Sequence, residues 1–282
     1  MTERRINLYS DTQTKPTPEM RTAMAGAEVG DEQRGEDPTV KLLVERAAEL
    51  LGKEAALFLP SGTMCNAISL AVHCRAGDEV ICEESYHIIG FEGANLPVLS
   101  GAMVRPLKGE RGLFNREQLQ EAIRHPSRYA PRSRVVSLEQ TANGGGGTVW
   151  PLELVLEISC AAKDAGLLLH MDGARLMNAV VASGVAARDF AEPFDSCWID
   201  LTKGLGCPVG ALLAGSKDFI DEAWRWKQRI GGAMRQAGII AAAGLYALDN
   251  HIERLAEDHE NAAVLAEALS GIDGIALDPS LV

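Results

Sequence analysis

The chain has 282 residues, 46% of them hydrophobic, and a formal net charge of −12. That length and apolar share suit one large folded domain, or a large and a small one, and argue against disorder. The acidic balance opposes non-specific nucleic-acid binding, which needs a positive field to displace counterions from phosphates. The opening segment, Met1 to Asn7, has no apolar core of signal-peptide length, and no later stretch approaches the ~20 apolar residues that span a bilayer, so a cytoplasmic chain without membrane contact is expected. Six cysteines (Cys65, Cys74, Cys82, Cys160, Cys197 and Cys207) are scattered without a Cys-x-x-Cys pair. Reduced core thiols are expected of them, not disulfides or a metal cage.

Along the chain, short apolar runs alternate with amphipathic stretches of helical period, the pattern of an α/β protein. From Pro38 to Leu51, the residues Val40, Leu43, Val44, Ala47 and Leu51 lie at helical spacing, and Gly52 follows where a helix would stop. Residues 55–59 read as a buried strand, after which Ser61-Gly62-Thr63 turns the chain into an apolar helix running to about His73. Further strands are expected at 80–82, 135–138, 167–171 and 196–199, nearly all apolar as parallel strands covered on both faces are. A helix falls at 152–163. A last strand at 209–214 follows a lysine turn, and one long helical stretch from Gly238 to Leu269 closes the chain.

Lys203, in Ile199-Asp200-Leu201-Thr202-Lys203-Gly204-Leu205-Gly206, leaves an apolar strand into a glycine turn. That setting suits a covalent amine, because the glycines clear side chains from around it and an apolar flank favours the neutral form that attacks carbonyls. The ordinary alternative is a snorkelling strand-end lysine. Asp172, in His170-Met171-Asp172-Gly173-Ala174-Arg175, ends an apolar strand at the carboxyl edge, where open α/β sheets place their ligands. It acts there either as an acid under a ligand or as a helix cap or ion-pair partner of Arg175. Ser61-Gly62-Thr63, between strand and helix, offers backbone N–H groups to an anion, or is an N-cap and no more. His87 follows the strand at 80–82 by a few residues, at the same edge, and also reads as a structural histidine. Asn143-Gly144-Gly145-Gly146-Gly147 opens no helix after its strand and is no dinucleotide fingerprint; a flexible loop near a ligand is expected. An amine, an acid and an anion cradle together suggest a pyridoxal 5'-phosphate site.

Six motifs then carry a resemblance, in order and in spacing: Ser10-Asp11-Thr12-Gln13-Thr14-Lys15-Pro16-Thr17, Gly35-Glu36-Asp37-Pro38-Thr39, Leu59-Pro60-Ser61-Gly62-Thr63, Met171-Asp172-Gly173-Ala174-Arg175, the segment from Thr202 to Gly210, and Gly231-Gly232-Ala233-Met234-Arg235-Gln236-Ala237-Gly238. From about Ile6 to its end the chain resembles the threonine aldolase family. The resemblance implies an aminotransferase-like fold of type I, an α/β large domain with a mostly parallel sheet flanked by helices. It implies a pyridoxal phosphate-binding domain with an N-terminal arm over 1–250, and a linker helix with the start of a truncated small C-terminal domain over 251–282, that small domain being largely absent. The implied activity is cleavage of L-threonine or related β-hydroxy-α-amino acids to glycine and an aldehyde, and the implied assembly a homo-oligomer, dimer or tetramer, with its active site at the subunit interface.

Position by position, the resemblance makes Lys203 the Schiff-base lysine, Asp172 the partner of the pyridine nitrogen, and Gly62 with Thr63 the phosphate cradle. His87 matches the imidazole that stacks on the cofactor ring and is a candidate base for the substrate hydroxyl. Ser10 and Arg175 match substrate-carboxylate contacts, and Arg235 matches an arginine that reaches cofactor phosphate across a subunit interface. Three departures stand out. Ala142 replaces a histidine that often faces the substrate hydroxyl; Arg34 replaces an aromatic residue, so a more cationic rim is expected; and the chain stops where the small domain would begin, as a fragment would. Another β-eliminating lyase of the same fold, or a non-catalytic cofactor-binding member, are the alternative readings.

Overall fold

The computed structural model describes residues 7–282. The chain enters through helices α1 (Pro18–Ala25) and α2 (Pro38–Leu51), followed by strand β1 (Ala55–Leu59) and helix α3 (Gly62–His73). Then come β2 (Asp78–Glu83), the short α4 (His87–Gly90), β3 (Met103–Leu107), α5 (Arg116–Ala122) and β4 (Arg132–Glu139). Helix α6 (Leu152–Asp164), β5 (Leu168–Gly173), α7 (Leu176–Ser183) and α8 (Ala187–Ala191) lead to β6 (Ser196–Asp200) and β7 (Ala211–Gly215). Three helices, α9 (Lys217–Arg229), α10 (Gly238–Asn250) and α11 (Leu255–Ser270), complete the order.

Seven strands form one sheet in the order β1-β7-β6-β5-β4-β2-β3. Strand β7 runs antiparallel to both neighbours, and every other pairing is parallel. Successive side chains alternate faces: Leu57 and Leu59 pack with Trp198 and Leu213 in one apolar cluster with residues of α3 and α9, while Phe58, Ile199 and Leu212 join the larger cluster that includes α2 and α10. The Asp37 side chain caps α2 by accepting from the Val40 N–H, Pro38 occupies the first turn, and Gly52, where the sequence places the stop, ends the helix at φ 62°.

Two elements differ from expectation. Strand β3 has no counterpart in the sequence reading, because Arg105 and Pro106 interrupt its apolar run; it pairs on one side only, where proline is tolerated. The single closing helix is two helices. Its break lies at residues 251–254, where buried His251 donates from Nδ1 to the Leu205 carbonyl at 2.7 Å and so ties the chain to the lysine loop. Helix α10 is largely buried, whereas α11 buries only Leu255 and Ala266. No helix among the described residues is long and apolar enough to cross a membrane. All six cysteines are free, and burial pushes the thiols of Cys74, Cys197 and Cys207 up to about 12.

Candidate active site

The carboxyl ends of β1, β2, β4, β5 and β6 deliver Gly62, His87, Glu139, Asp172 and Lys203 to the rim of one cleft of about 440 Å³. Thr63 and Arg175 line it too. Residues scattered over more than a hundred positions meet there because parallel strands emit their following loops at the same edge.

Lys203 is mostly covered, its side chain 16% exposed, with Nζ 3.1 Å from Asp200 Oδ2 and 5.8 Å from the centre of the Trp198 ring. The expected apolar flank is therefore corrected: the amine faces a carboxylate. Asp200 is held in turn, its Oδ1 accepting from the Thr202 N–H and hydroxyl. From the N-terminal arm, the Thr14 hydroxyl donates to the carbonyl of Lys203 at 2.8 Å, and so fixes the backbone that carries the amine.

Asp172 is 3% exposed, yet among the described residues it bonds no cation: Oδ1 accepts from the Ala174 N–H and Oδ2 from the Asn66 carboxamide. Burial and then the neighbouring Glu139 carboxylate push its carboxyl up to about 7, against the opposing bond from Asn66. The expected alternative of an Asp172–Arg175 pair does not form. Arg175 is engaged instead by Asp11 of the N-terminal arm, with Nε at 2.6 Å and Nη2 at 2.8 Å from its two oxygens.

At the start of α3 the Ser61 hydroxyl caps the Met64 N–H, and the N–H groups of Gly62 and Thr63 have no acceptor among the described residues. Glycine at 62 has a different cause from the one expected. A Cβ there would lie 2.3 Å from the Trp198 ring, so helix-to-strand packing excludes a side chain.

His87 directs Nδ1 at Glu92 Oε1, 2.9 Å away, while its backbone N–H donates to Glu139 Oε2. The Glu92 carboxylate raises the imidazole above its ordinary value. Glu139 also accepts from the Asn143 N–H, so one buried carboxylate pins both walls of the cleft.

Ser10 and Arg235 are not brought into this cleft. Ser10 caps the first turn of the arm beside Asp11, and exposed Arg235 pairs with Asp31 at 2.7 Å. Three further expectations are corrected. Ala142 is fully buried, and Gly112 lies so close that a Cβ on it would come within 2.7 Å of the Ala142 Cβ, so Asn143 is the loop residue that lines the cleft. Arg34 pairs with Glu36 on the surface and adds no charge to the rim. The glycine loop is tied down, with Gly145 and Gly147 both donating to the Ala142 carbonyl.

Sequence reasoning missed Asn66, Glu92, Glu139, Asp200 and Trp198. A polar Asn66 within the apolar run Met64-Cys65-Asn66-Ala67-Ile68 was a usable signal, since buried polar groups demand partners. Glu92 lies in a loop with no periodicity to mark it.

The fold and the cleft define an open α/β sheet enzyme that works at the carboxyl edge of its strands. The chain belongs to the beta-eliminating lyase family, matched over residues 7–282, and is a lyase of the type I fold. It is 43% identical to the low specificity L-threonine aldolase of Escherichia coli strain K12, over 98% of this chain and 83% of that one. It is 42% identical to the low-specificity L-threonine aldolase 1 of Arabidopsis thaliana, over 100% of this chain and 80% of that one. The solved threonine aldolase of Leishmania major superposes with a TM-score of 0.81 at 22% identity, over 92% of this chain and 77% of that one, which speaks for the fold.

Proposed function

We propose that this chain is a pyridoxal phosphate-dependent aldolase that cleaves L-threonine or related β-hydroxy-α-amino acids to glycine and an aldehyde. The observation that carries the reading is the pairing across one cleft of a covered primary amine, Lys203, with a buried carboxyl, Asp172, whose donors among the described residues are neutral. A protonated ring nitrogen is the cation this carboxyl lacks, and the free N–H groups of Gly62 and Thr63 at a helix start suit a phosphate, so the residues fit the group. Pyridoxal phosphate, when bound, supplies an electron sink conjugated to the substrate Cα.

In this reading Lys203 carries the cofactor and Asp172 keeps its ring nitrogen protonated. Arg175 holds the substrate carboxylate. Its guanidinium has five N–H donors, of which Asp11 takes one on Nε and one on Nη2, leaving three to be shared with a second carboxylate. Fixing that carboxylate sets which Cα bond faces the sink and therefore which bond breaks. The Glu92 carboxylate can only accept, so His87 Nδ1 donates to it and Nε2 is left bare to take the hydroxyl proton of the substrate. Ser10, which caps the arm that carries Asp11, is given no substrate contact, and Arg235 is assigned to a phosphate in a partner subunit of a homo-oligomer.

Borohydride reduction of the loaded protein tests the site: the label is expected on Lys203, and a label on another lysine overturns it. The reaction is tested by product. Release of glycine from threonine or phenylserine supports the aldolase, whereas ammonia and a keto acid would assign the chain to a β-eliminating activity.

A further inference from the structure

Behind the cleft lies a chain of buried polar groups that the proposed reaction does not use. It exists because three periodicities coincide. His170 and Asp172 are two residues apart on β5 and share a face; they pair in register with Ser196 and Trp198 of β6. Helix α3 covers that face and presents Asn66 and His73, seven residues or two turns apart. The contacts run without a gap. His73 Nε2 lies 2.7 Å from Ser196 Oγ, His170 Nδ1 lies 2.8 Å from the same hydroxyl, and His170 Nε2 lies 3.0 Å from Asn66 Oδ1.

Every proton in this chain can be assigned by chemistry. The Trp198 indole N–H can only donate and meets Asn66 Oδ1 at 2.7 Å, so that atom is the oxygen and the Asn66 orientation is settled. The Asn66 nitrogen then faces two carboxylates, Asp172 Oδ2 at 2.8 Å and Glu92 Oε1 at 2.7 Å, with one N–H for each. His170 Nε2 must donate to Asn66 Oδ1. Burial holds the His170 ring down at about 3 and the His73 ring at about 4, the latter against a nearby Asp195 and with Arg134 assisting, so both are neutral at ordinary pH. The bare Nδ1 of His170 therefore accepts from Ser196, and Ser196 accepts from His73 Nε2–H.

We propose that His73, Ser196 and His170 form a positioning relay that locks the Asn66 carboxamide, so that Asn66 holds Asp172 and Glu92 as paired acceptors on either side of the cleft floor. The relay orients and does not conduct, since a carboxamide cannot pass a proton on without leaving its amide form. Turned over, Asn66 would set its oxygen against two carboxylates and leave Trp198 and His170 facing N–H groups. The geometry stands independently of the aldolase reading; the functional meaning rests on it, because Asp172 is the acid assigned to the ring nitrogen and Glu92 orients His87.

The test uses the protein without cofactor, so its outcome is separable from that of the aldolase reading. Imidazole nitrogen NMR of the unaltered protein is expected to show His170 and His73 as neutral Nε2–H tautomers between pH 5.5 and 8; finding His170 as the Nδ1–H form overturns the relay. Carboxyl-carbon NMR of Asp172 gives the second readout, in the field of Glu139, Lys203 and Glu92, which also act on it. Asn66→Ala is expected to raise its titration midpoint by about one unit, Ser196→Ala by a smaller amount in the same direction, and His170→Gln, which keeps a donor towards Asn66, by less than either. An unmoved midpoint in folded Asn66→Ala or in Ser196→Ala overturns the proposal. Should Asn66→Ala fail to fold, Ser196→Ala, which removes a single hydroxyl, and the tautomers of the unaltered protein decide it.

Discussion

Asp172 shows how one side chain trades stability for chemistry. Its folded-state value of about 7 lies above the ordinary 3.8, so the native state holds a proton that the unfolded chain has already released between those values. Its contribution to stability is full below about pH 4 and is lost as the pH rises through about 7, a change of about 4 kcal/mol. Asp172→Asn removes that dependence. Urea unfolding of the cofactor-free variant is expected to gain by that amount relative to the unaltered protein between pH 4 and pH 8, and parallel pH curves for the two would refute the assignment. His87 shifts in the same direction by a different route, since the Glu92 carboxylate stabilises its protonated form. A base must be neutral to accept a proton, so Glu92→Gln, which lowers the imidazole, is expected to move the acidic limb of kcat/KM to lower pH. A limb that stays in place would mean that His87 is not the titrating group.

Between elements, single carboxylates act as fasteners. Asp37 is 1% exposed and accepts three backbone N–H bonds, from Val40 at the start of α2, from Gly30 in the preceding loop and from Gly238 at the start of α10. Asp37→Ala leaves two buried donors and a part-buried one without an acceptor and is expected to cost about 3 kcal/mol in urea unfolding. A loss under half of that would show that water replaces the carboxylate there. Glu32 does the same for the segment after α9: it pairs with fully buried Lys227 and accepts from the Met234 N–H at 2.8 Å. With Asp31 on Arg235, the turn at 31–34 sets the position of the segment that carries the arginine assigned to a phosphate.

For the whole molecule, the exposed Arg235 and the cleft of the same chain are separate, and this makes the oligomeric proposal testable. If Arg235 completes a neighbour's site, mixing two impaired variants, Arg235→Glu and Lys203→Ala, generates hybrid assemblies in which one site has both residues intact. Activity of subunits remixed in equal amounts is expected to recover towards about a quarter of the unaltered level, by random assortment into two-subunit sites. Recovery absent despite demonstrated subunit exchange would place the action of Arg235 within its own chain.

The alternation of apolar runs with helical periods was sufficient for the α/β class and for most strands, because burial imposes its period on the sequence directly. Lys203, Asp172, Gly62, Thr63, His87 and Arg175 were legible for a related reason: each stands at a strand end or a glycine turn, where backbone pattern marks a sheet edge. Tertiary structure alone decided the rest. It set β7 against its neighbours, split the last helix at His251, turned Ala142 inward, gave Arg175 to Asp11 and drew Asn66, Glu92 and Glu139 under the cleft. Those outcomes depend on which groups meet across about ten and up to about 160 positions of chain, and hydrogen-bond partnership at that separation leaves no period in the sequence to read.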